Sequence, residues 1–163
     1  MDNSYEKFKQ DLSDGQEVEE LARKQILNYY AEKRDMKLTT GVVQDEHNYK
    51  DTKYDFELIG PGGESRTFEV KQNKQVDTYG CYFLEITDQF GRPSGLSTTR
   101  AEFHVLVNGK KDEFVVIRTK CIENIIRALK EDHKLKVVRS KNGTSGCILR
   151  KNWILKFQEF TVK

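Results

Sequence analysis

Proline is scarce in this chain: only Pro61 and Pro93 occur among 163 residues, and both stand in turn settings. No low-complexity tract, internal repeat or interdomain linker accompanies them, so the chain reads as one domain, 1–163, large enough to bury a real core. Cysteine is equally thin. Cys81, Cys121 and Cys147 are odd in number, far apart and without CxxC spacing. That argues against a disulfide framework or a zinc site and suits a reducing cytoplasm, the host's if the protein is viral. Long apolar runs are missing too. Nothing approaches the ~18 residues of a membrane span, and residues 1–14 are too polar for a signal peptide. Nor is there bulk charge of one sign. The net charge is +2 although 33% of residues are charged, so an anion-binding surface must come from uneven placement.

What the chain does have is periodicity. Val18, Leu21, Ala22, Ile26 and Tyr29 recur at three and four, predicting an amphipathic helix from residue 16 to about 34. Ser13 or Asp14 can cap it, and acids crowd its first turn, where the helix dipole favours them. Phe8 and Leu12 are candidate anchors ahead of it. On a helical wheel Glu20 points away from the apolar stripe, whereas Glu17 and Glu19 flank it and can lean over a sheet edge. Strands are expected over 38–43, 53–59, 66–71, 80–86, 103–107 and 113–117, the last two joined at Asn108-Gly109. His47-Asn48-Tyr49-Lys50 reads as a continuation of the first strand or a turn. A short helical turn over 94–100 precedes the strand 103–107. A helix over 121–132, capped by Thr119, would bury Ile122, Ile125, Ile126 and Leu129. A final hairpin pairs 135–139 with 147–150, and Trp153, Ile154 and Phe157 close the core. The class is α/β.

The most telling stretch is Lys53-Tyr54-Asp55-Phe56-Glu57-Leu58-Ile59, a turn over 60–64, then Arg66-Thr67-Phe68-Glu69-Val70-Lys71. Gly60, Pro61, Gly62 and Gly63 supply the breakers that an antiparallel turn needs. Side chains alternate across a strand, so Glu69 and Lys71 leave one face while Phe68 and Val70 pack from the other. Pairing about the turn brings Asp55 near Glu69. A surface ion pair on an edge strand would account for Glu69 and Lys71 alone, and such pairs contribute little. Adding Asp55 changes the balance: two carboxylates and an ammonium at one spot are expensive, and a divalent cation is the simplest relief.

Asp55 followed by Glu69-Val70-Lys71 on the next strand, behind an acid-bearing helix, resembles the PD-(D/E)XK nuclease superfamily. Phe8-x-x-Asp11-Leu12-x-x-Gly15-x-x-x-Glu19 resembles the first-helix signature of its phage-type endonuclease and Holliday junction resolvase-like members. Ser94-Gly95-Leu96-x-x-Thr99-x-Ala101-Glu102 is similar to a further motif of that group, and Tyr54 stands where the superfamily's name has proline. The resemblance covers roughly residues 8–107. It implies a restriction-endonuclease-like core, a mixed sheet flanked by helices in α-β-β-β-α-β order, here with C-terminal β-hairpin additions. It also implies a metal-dependent deoxyribonuclease that hydrolyses phosphodiester bonds, structure-specific if it is resolvase-like.

Such hydrolysis needs a nucleophilic water, neutralised charge on a phosphorane-like transition state and help for the leaving oxygen. Mg²⁺ (or Mn²⁺) takes hard oxygen ligands and keeps several waters, so two carboxylates can anchor it. Asp55 and Glu69 are the expected ligands, and the resemblance adds the Val70 carbonyl. Lys71 would position or help deprotonate the water and stabilise negative charge. Glu19 would reach a metal-bound water or a second ion, with Glu17 the next candidate.

Around that centre, Gln72, Lys74, Ser97, Thr99 and Arg100 are the expected substrate-binding residues. Ser94 and Thr98 offer further hydroxyls, and together these either meet phosphate at a helix N-terminus or merely cap a short helix. His104 lies in an alternating strand and reads as structural, His133 as solvated, and His47 as a candidate near the site. Basic residues gather at Lys50, Lys53, Lys71 and Lys74, at Arg92 and Arg100, at Lys110 and Lys111, and at Arg139, Lys141, Arg150 and Lys151. With Tyr49, Tyr54 and Tyr79 among them they suit a DNA backbone, though a solvated surface looks much the same. The alternative readings are a non-catalytic nucleic-acid-binding accessory protein on the same fold and an RNA-directed nuclease. No membrane partner is expected. A junction resolvase would want a two-fold homodimer, and no segment announces its interface.

Overall fold

Phe103–Asn108 (β5) is buried throughout and Phe114–Arg118 (β6) at all but its last residue, the mark of strands covered on both faces. In the computed structural model, which describes residues 3–43 and 53–163, they are central strands of a six-stranded sheet. Thr39–Val43 (β1), Phe56–Ile59 (β2) and Ser65–Asn73 (β3) lie to one side and Phe160–Val162 (β9) to the other, in the order β1-β2-β3-β5-β6-β9. β3 and β5 run parallel and every other neighbouring pair is antiparallel. Cys81–Thr87 (β4), Lys136–Arg139 (β7) and Ser145–Arg150 (β8) form a second sheet in the order β4-β8-β7.

One face of the large sheet is covered by Asn3–Lys33 (α1), which buries Val18, Ala22 and Ile26. Beneath it Phe56, Phe68 and Phe103 stack in a row across β2, β3 and β5, with centroids 4.9 and 5.2 Å apart. Fully burying one such ring contributes about 1.5–3 kcal/mol. The row also fixes register. A one-residue slip would turn the phenylalanines to the wrong face, and with them Asp55 and Glu69. Leu106, Val115 and Ile117 leave the opposite face and pack with Thr119–Glu131 (α3), Lys151–Phe157 (α4) and the inner residues of the small sheet, Tyr82, Leu84 and Leu149. The architecture is a mixed α/β fold whose mixed sheet is flanked by helices.

Several expectations change. The first helix does not start at residue 16: it runs from Asn3 straight through Ser13, Asp14 and Gly15, so neither Ser13 nor Asp14 is a cap. Thr119 lies inside α3 rather than capping it, because its hydroxyl donates to the Ala101 carbonyl at 2.7 Å. The helix expected after the third strand shrinks to Val76–Tyr79 (α2) and a 3₁₀ turn, Gly95–Ser97. The link from β3 to β5 instead passes through β4, in the other sheet. The C-terminal hairpin is therefore not an addition to the main sheet, since β8 pairs with β4. Ile154 is buried as expected, but Phe157 is half exposed and β9, not foreseen, closes the sheet edge. The 47–50 stretch, His47 included, lies outside the described residues, as do the side chains of Phe8 and Leu12. No helix among the described residues is long and apolar enough to cross a membrane.

Candidate active site

β2 begins at Phe56 and pairs with β3 at Phe68. Beyond that point β3 runs on to Asn73, and Asp55 sits at the step. Its own N–H donates to the Phe68 carbonyl at 2.9 Å. Its carboxylate Oδ2 accepts the Val70 N–H at 2.7 Å. A strand residue sends its N–H and C=O toward the same edge, so the Val70 carbonyl faces that edge too. Glu69 leaves the face opposite Phe68 and Val70 and is fully buried. Asp55 is 9% exposed. Lys71, two residues on, closes Nζ to Glu69 Oε1 at 2.9 Å.

Glu19 comes over from α1 to the same place, whereas Glu17 pairs with Lys111 at 3.7 Å and Glu20 binds Arg23. Against the helical-wheel expectation, Glu20 is part-buried and lines a neighbouring cavity with Glu19 and Asp55, while Glu17 is the more exposed acid; of the three only Glu19 lines the cleft. Together Glu19, Asp55, Glu69, Val70 and Lys71 line a cleft of about 410 Å³. Among the described residues, however, no three His, Cys, Asp or Glu side chains are grouped as the ligands of one ion would be. Glu19 thus stands beside the Asp55–Glu69 pair rather than within it.

The charges feel this crowding. Burial, and then the charges of Glu69 and Glu19, push the Asp55 carboxyl up to about 8, with Lys71 and the Val70 N–H pulling the other way. Burial and Glu69 push Glu19 up to about 6. For Lys71 burial acts to lower the ammonium, but Glu69 and Asp55 outweigh it and raise the group to about 12. Perturbed acids gathered in a cleft are a signature of function more often than of stability.

In the far wall, Lys53, Ser94 and Thr98 are among the residues the sequence offers for a phosphate, and Glu85 is not. Glu85 lines the cleft from β4, with Pro93, Ser94, Gly95 and Thr98 from the following loop and Lys53 from before Asp55. Ser94 Oγ donates to Glu85 Oε1 at 2.6 Å. The signal for Glu85 was present in the alternation of β4: Tyr82 and Leu84 point inward, so Glu85 must point out. Lys53 holds a left-handed backbone, φ 59°, uncommon for a residue with a side chain. The loop pins it there, for its carbonyl accepts the Arg100 N–H at 2.9 Å and the Thr99 hydroxyl at 3.1 Å.

Those bonds correct the expected substrate contacts. Thr99 ties the loop to Lys53, and the Ser97 hydroxyl donates to the Ile86 carbonyl at 2.8 Å. Both are therefore committed to the chain itself. Neither they nor Arg100 line the cleft, and one 3₁₀ turn presents no helix N-terminus. Gln72, further along β3, and Lys74, just past its end, line a different cavity, because strand alternation turns Gln72 away from Lys71 and the rise carries Lys74 ~10 Å onward. His104 is buried and structural, its Nδ1 2.8 Å from Thr119 Oγ1. His133 is exposed. No protein-family model and no curated protein matches this chain, so the site is read from its own chemistry.

Proposed function

We propose that this chain is a divalent-metal-dependent deoxyribonuclease with Asp55, Glu69, Lys71 and Glu19 as its centre, a restriction-endonuclease-like core as its fold and DNA as its substrate. One observation carries the reading. Asp55 and Glu69 are two nearly inaccessible carboxylates packed side by side, with Glu19 near them and Lys71 as the close cation. Burying that much negative charge destabilises a fold unless a cation is meant to join it. The donors are hard oxygens, Asp55 and Glu69 with the Val70 carbonyl at the same edge, which fits Mg²⁺ or Mn²⁺. A bound ion would supply charge neutralisation at the phosphoryl oxygen and a more acidic water.

The chain's own groups do the rest. Lys71, raised to about 12, stays an ammonium, so it donates hydrogen bonds and stabilises charge rather than taking a proton. Glu19, near 6, is matched to accept a proton from water at neutral pH. Lys53 and the Thr98 hydroxyl line the approach that a phosphate would use. The test is cleavage of linear, flapped and four-way DNA, with single-stranded RNA alongside, in Mg²⁺, in Mn²⁺ and in chelator. Cleavage that needs the ion and disappears in Asp55→Ala/Glu69→Ala supports the reading, and cleavage by that double variant at the wild-type rate ends it.

A second reading has its own observation. Asp55 Oδ2 and Glu69 Oε1 are already engaged by the Val70 N–H and by Lys71, as in a site that only binds nucleic acid. That reading expects metal-independent binding and no cleavage of any substrate in the panel.

A further inference from the structure

A second cavity lies apart from the carboxylate cleft. It is a groove of about 590 Å³ where the end of β3 meets the β7–β8 turn. Lys74, Arg139 and Lys141 line it, with no acidic residue among the described residues of its wall, and all three cations are exposed. Its floor is apolar. Phe83 and Ile148 face each other in register on β4 and β8, and the Phe83 ring lies close over Gly146, where a Cβ would come within 2.6 Å of it. Gln72, Ser140 and Asn142 add polar rims.

The groove is a cavity separate from the carboxylate cleft, with no lining residue in common, but the same two strands contribute to both. β3 carries Lys71 in the cleft and Gln72 and Asn73 in the groove, with Lys74 just past its end, and β4 carries Glu85 in the cleft and Phe83 in the groove. Phe83 and Glu85 share one face of the small sheet, ~7 Å apart. Cations around an aromatic floor are the equipment of a single-strand binding surface: the cations neutralise the backbone and the ring accepts a stacked base.

We propose that this groove binds the single-stranded segment of a nucleic acid whose scissile phosphate lies at the carboxylate cleft, an assignment that rests on the nuclease reading. Lys74 lies ~10 Å onward from Lys71 in the strand direction, within reach of a short stretch of one nucleic-acid strand. The groove therefore selects substrates that carry an unpaired strand next to the cut.

Binding of a fluorescein-labelled single-stranded DNA, measured in chelator so that nothing is cut, tests this. Lys74→Ala/Arg139→Ala/Lys141→Ala should weaken binding at least tenfold and reduce the slope of log affinity against log salt by about two. Lys74→Glu/Lys141→Glu, which spares the Arg139 bond to the Gly143 carbonyl, should do the same. Phe83→Leu should weaken single-strand binding several-fold and leave duplex binding unchanged. Wild-type affinity in both charge variants, or no binding by the wild-type chain, overturns the proposal. Cleavage is scored separately. Lost binding in the charge variants when the wild type cuts nothing leaves the groove standing and removes the nuclease. Normal binding and cutting in those variants, with Asp55→Asn inactive, removes the groove and leaves the nuclease.

Discussion

The carboxylate cleft and the basic groove share two strands and have opposite charge. Four acids (Glu19, Asp55, Glu69, Glu85) and two lysines line the first, and three cations line the second. A strand brings this about cheaply: two residues along β4 change Glu85 to Phe83, and three residues lead from Lys71 on β3 to Lys74 just past its end. The difference lies in burial. The groove's cations are solvated and cost the fold little, while Asp55 and Glu69 are buried and strain it. A region that costs stability has to be kept for another reason.

The sharpest way to break this comparison is to neutralise the strained side alone. Asp55→Asn keeps an oxygen for the Val70 N–H and removes the charge. Cleavage should fall on the order of 10³-fold or more, and Glu69→Gln should match it. Binding to the groove should remain. In chelator, Asp55→Asn should melt no lower than wild type at pH 8, because a carboxylate held near 8 is a liability there. A clear loss of melting temperature would mean that Asp55 is structural. Lys71→Met should cut the rate ~10²-fold, a charge-stabilising group being worth about that much.

Two glycines give the next largest effect, one for each region. Gly95 has φ 52°, and a Cβ there would sit 2.5 Å from the Glu85 carbonyl. Gly146 is pressed on the neighbouring residue, its Cβ position 2.5 Å from the Leu84 carbonyl and 2.6 Å from Phe83. Alanine at either position should cost about 1–3 kcal/mol by overpacking, read from denaturant midpoints. Their functional effects should separate. Gly95→Ala shifts Ser94 against Glu85 and slows single-turnover cleavage with single-strand affinity kept. Gly146→Ala tilts the Phe83 floor and weakens affinity first. Identical effects on both readouts would show that the two regions are one.

How much of this was legible follows the same division. The hairpin, the Asp55–Glu69–Lys71 set and the choice of face are local: alternation and one turn dictate them, and the structure has them as expected. The C-terminal hairpin and α3 were legible for the same reason. What pairs with what across the chain was not. β4 has the pattern of a main-sheet strand, and only its long-range pairing with β8 shows that it left. Alternation gives the direction of Glu85 but not what it faces, Phe83 and Lys141 could not be placed, and the two regions could not be told apart. The loop hydroxyls misled for another reason. Ser97 and Thr99 suit phosphate by type, but backbone carbonyls of Ile86 and Lys53 compete for them, and a sequence does not display that competition.

The smallest effect separates burial from charge beneath the cleft. His104 pairs in register with Glu69 and is driven down to about 3, by burial first and then by the Lys71 charge. Thr119 spends its one hydroxyl hydrogen on the Ala101 carbonyl, so it accepts from His104 Nδ1–H, and the imidazole is neutral. The unfolded chain takes up that proton near 6.5. His104 thus contributes stability that is full above about 6.5 and is lost as pH falls toward 3. Asp55 has the opposite sign. Its folded carboxyl titrates near 8 and its unfolded one near 3.8, so its contribution is full below 3.8 and is lost as pH rises through 8. Each group can move stability by up to ~1.4 kcal/mol per pH unit, and the two oppose each other between 3.8 and 6.5. Glu19, near 6 in the fold against 4.5 unfolded, adds to Asp55 between those values, so wild-type stability in chelator should fall from about pH 4.5 to 6 and again from about 6.5 to 8. His104→Asn keeps a donor for Thr119 and should decline through the whole range. Asp55→Asn should rise to about pH 4.5, change little between 4.5 and 6, where Glu19 opposes His104, and be level above about 6.5. Parallel curves for all three would show that neither group is held where the fold puts it.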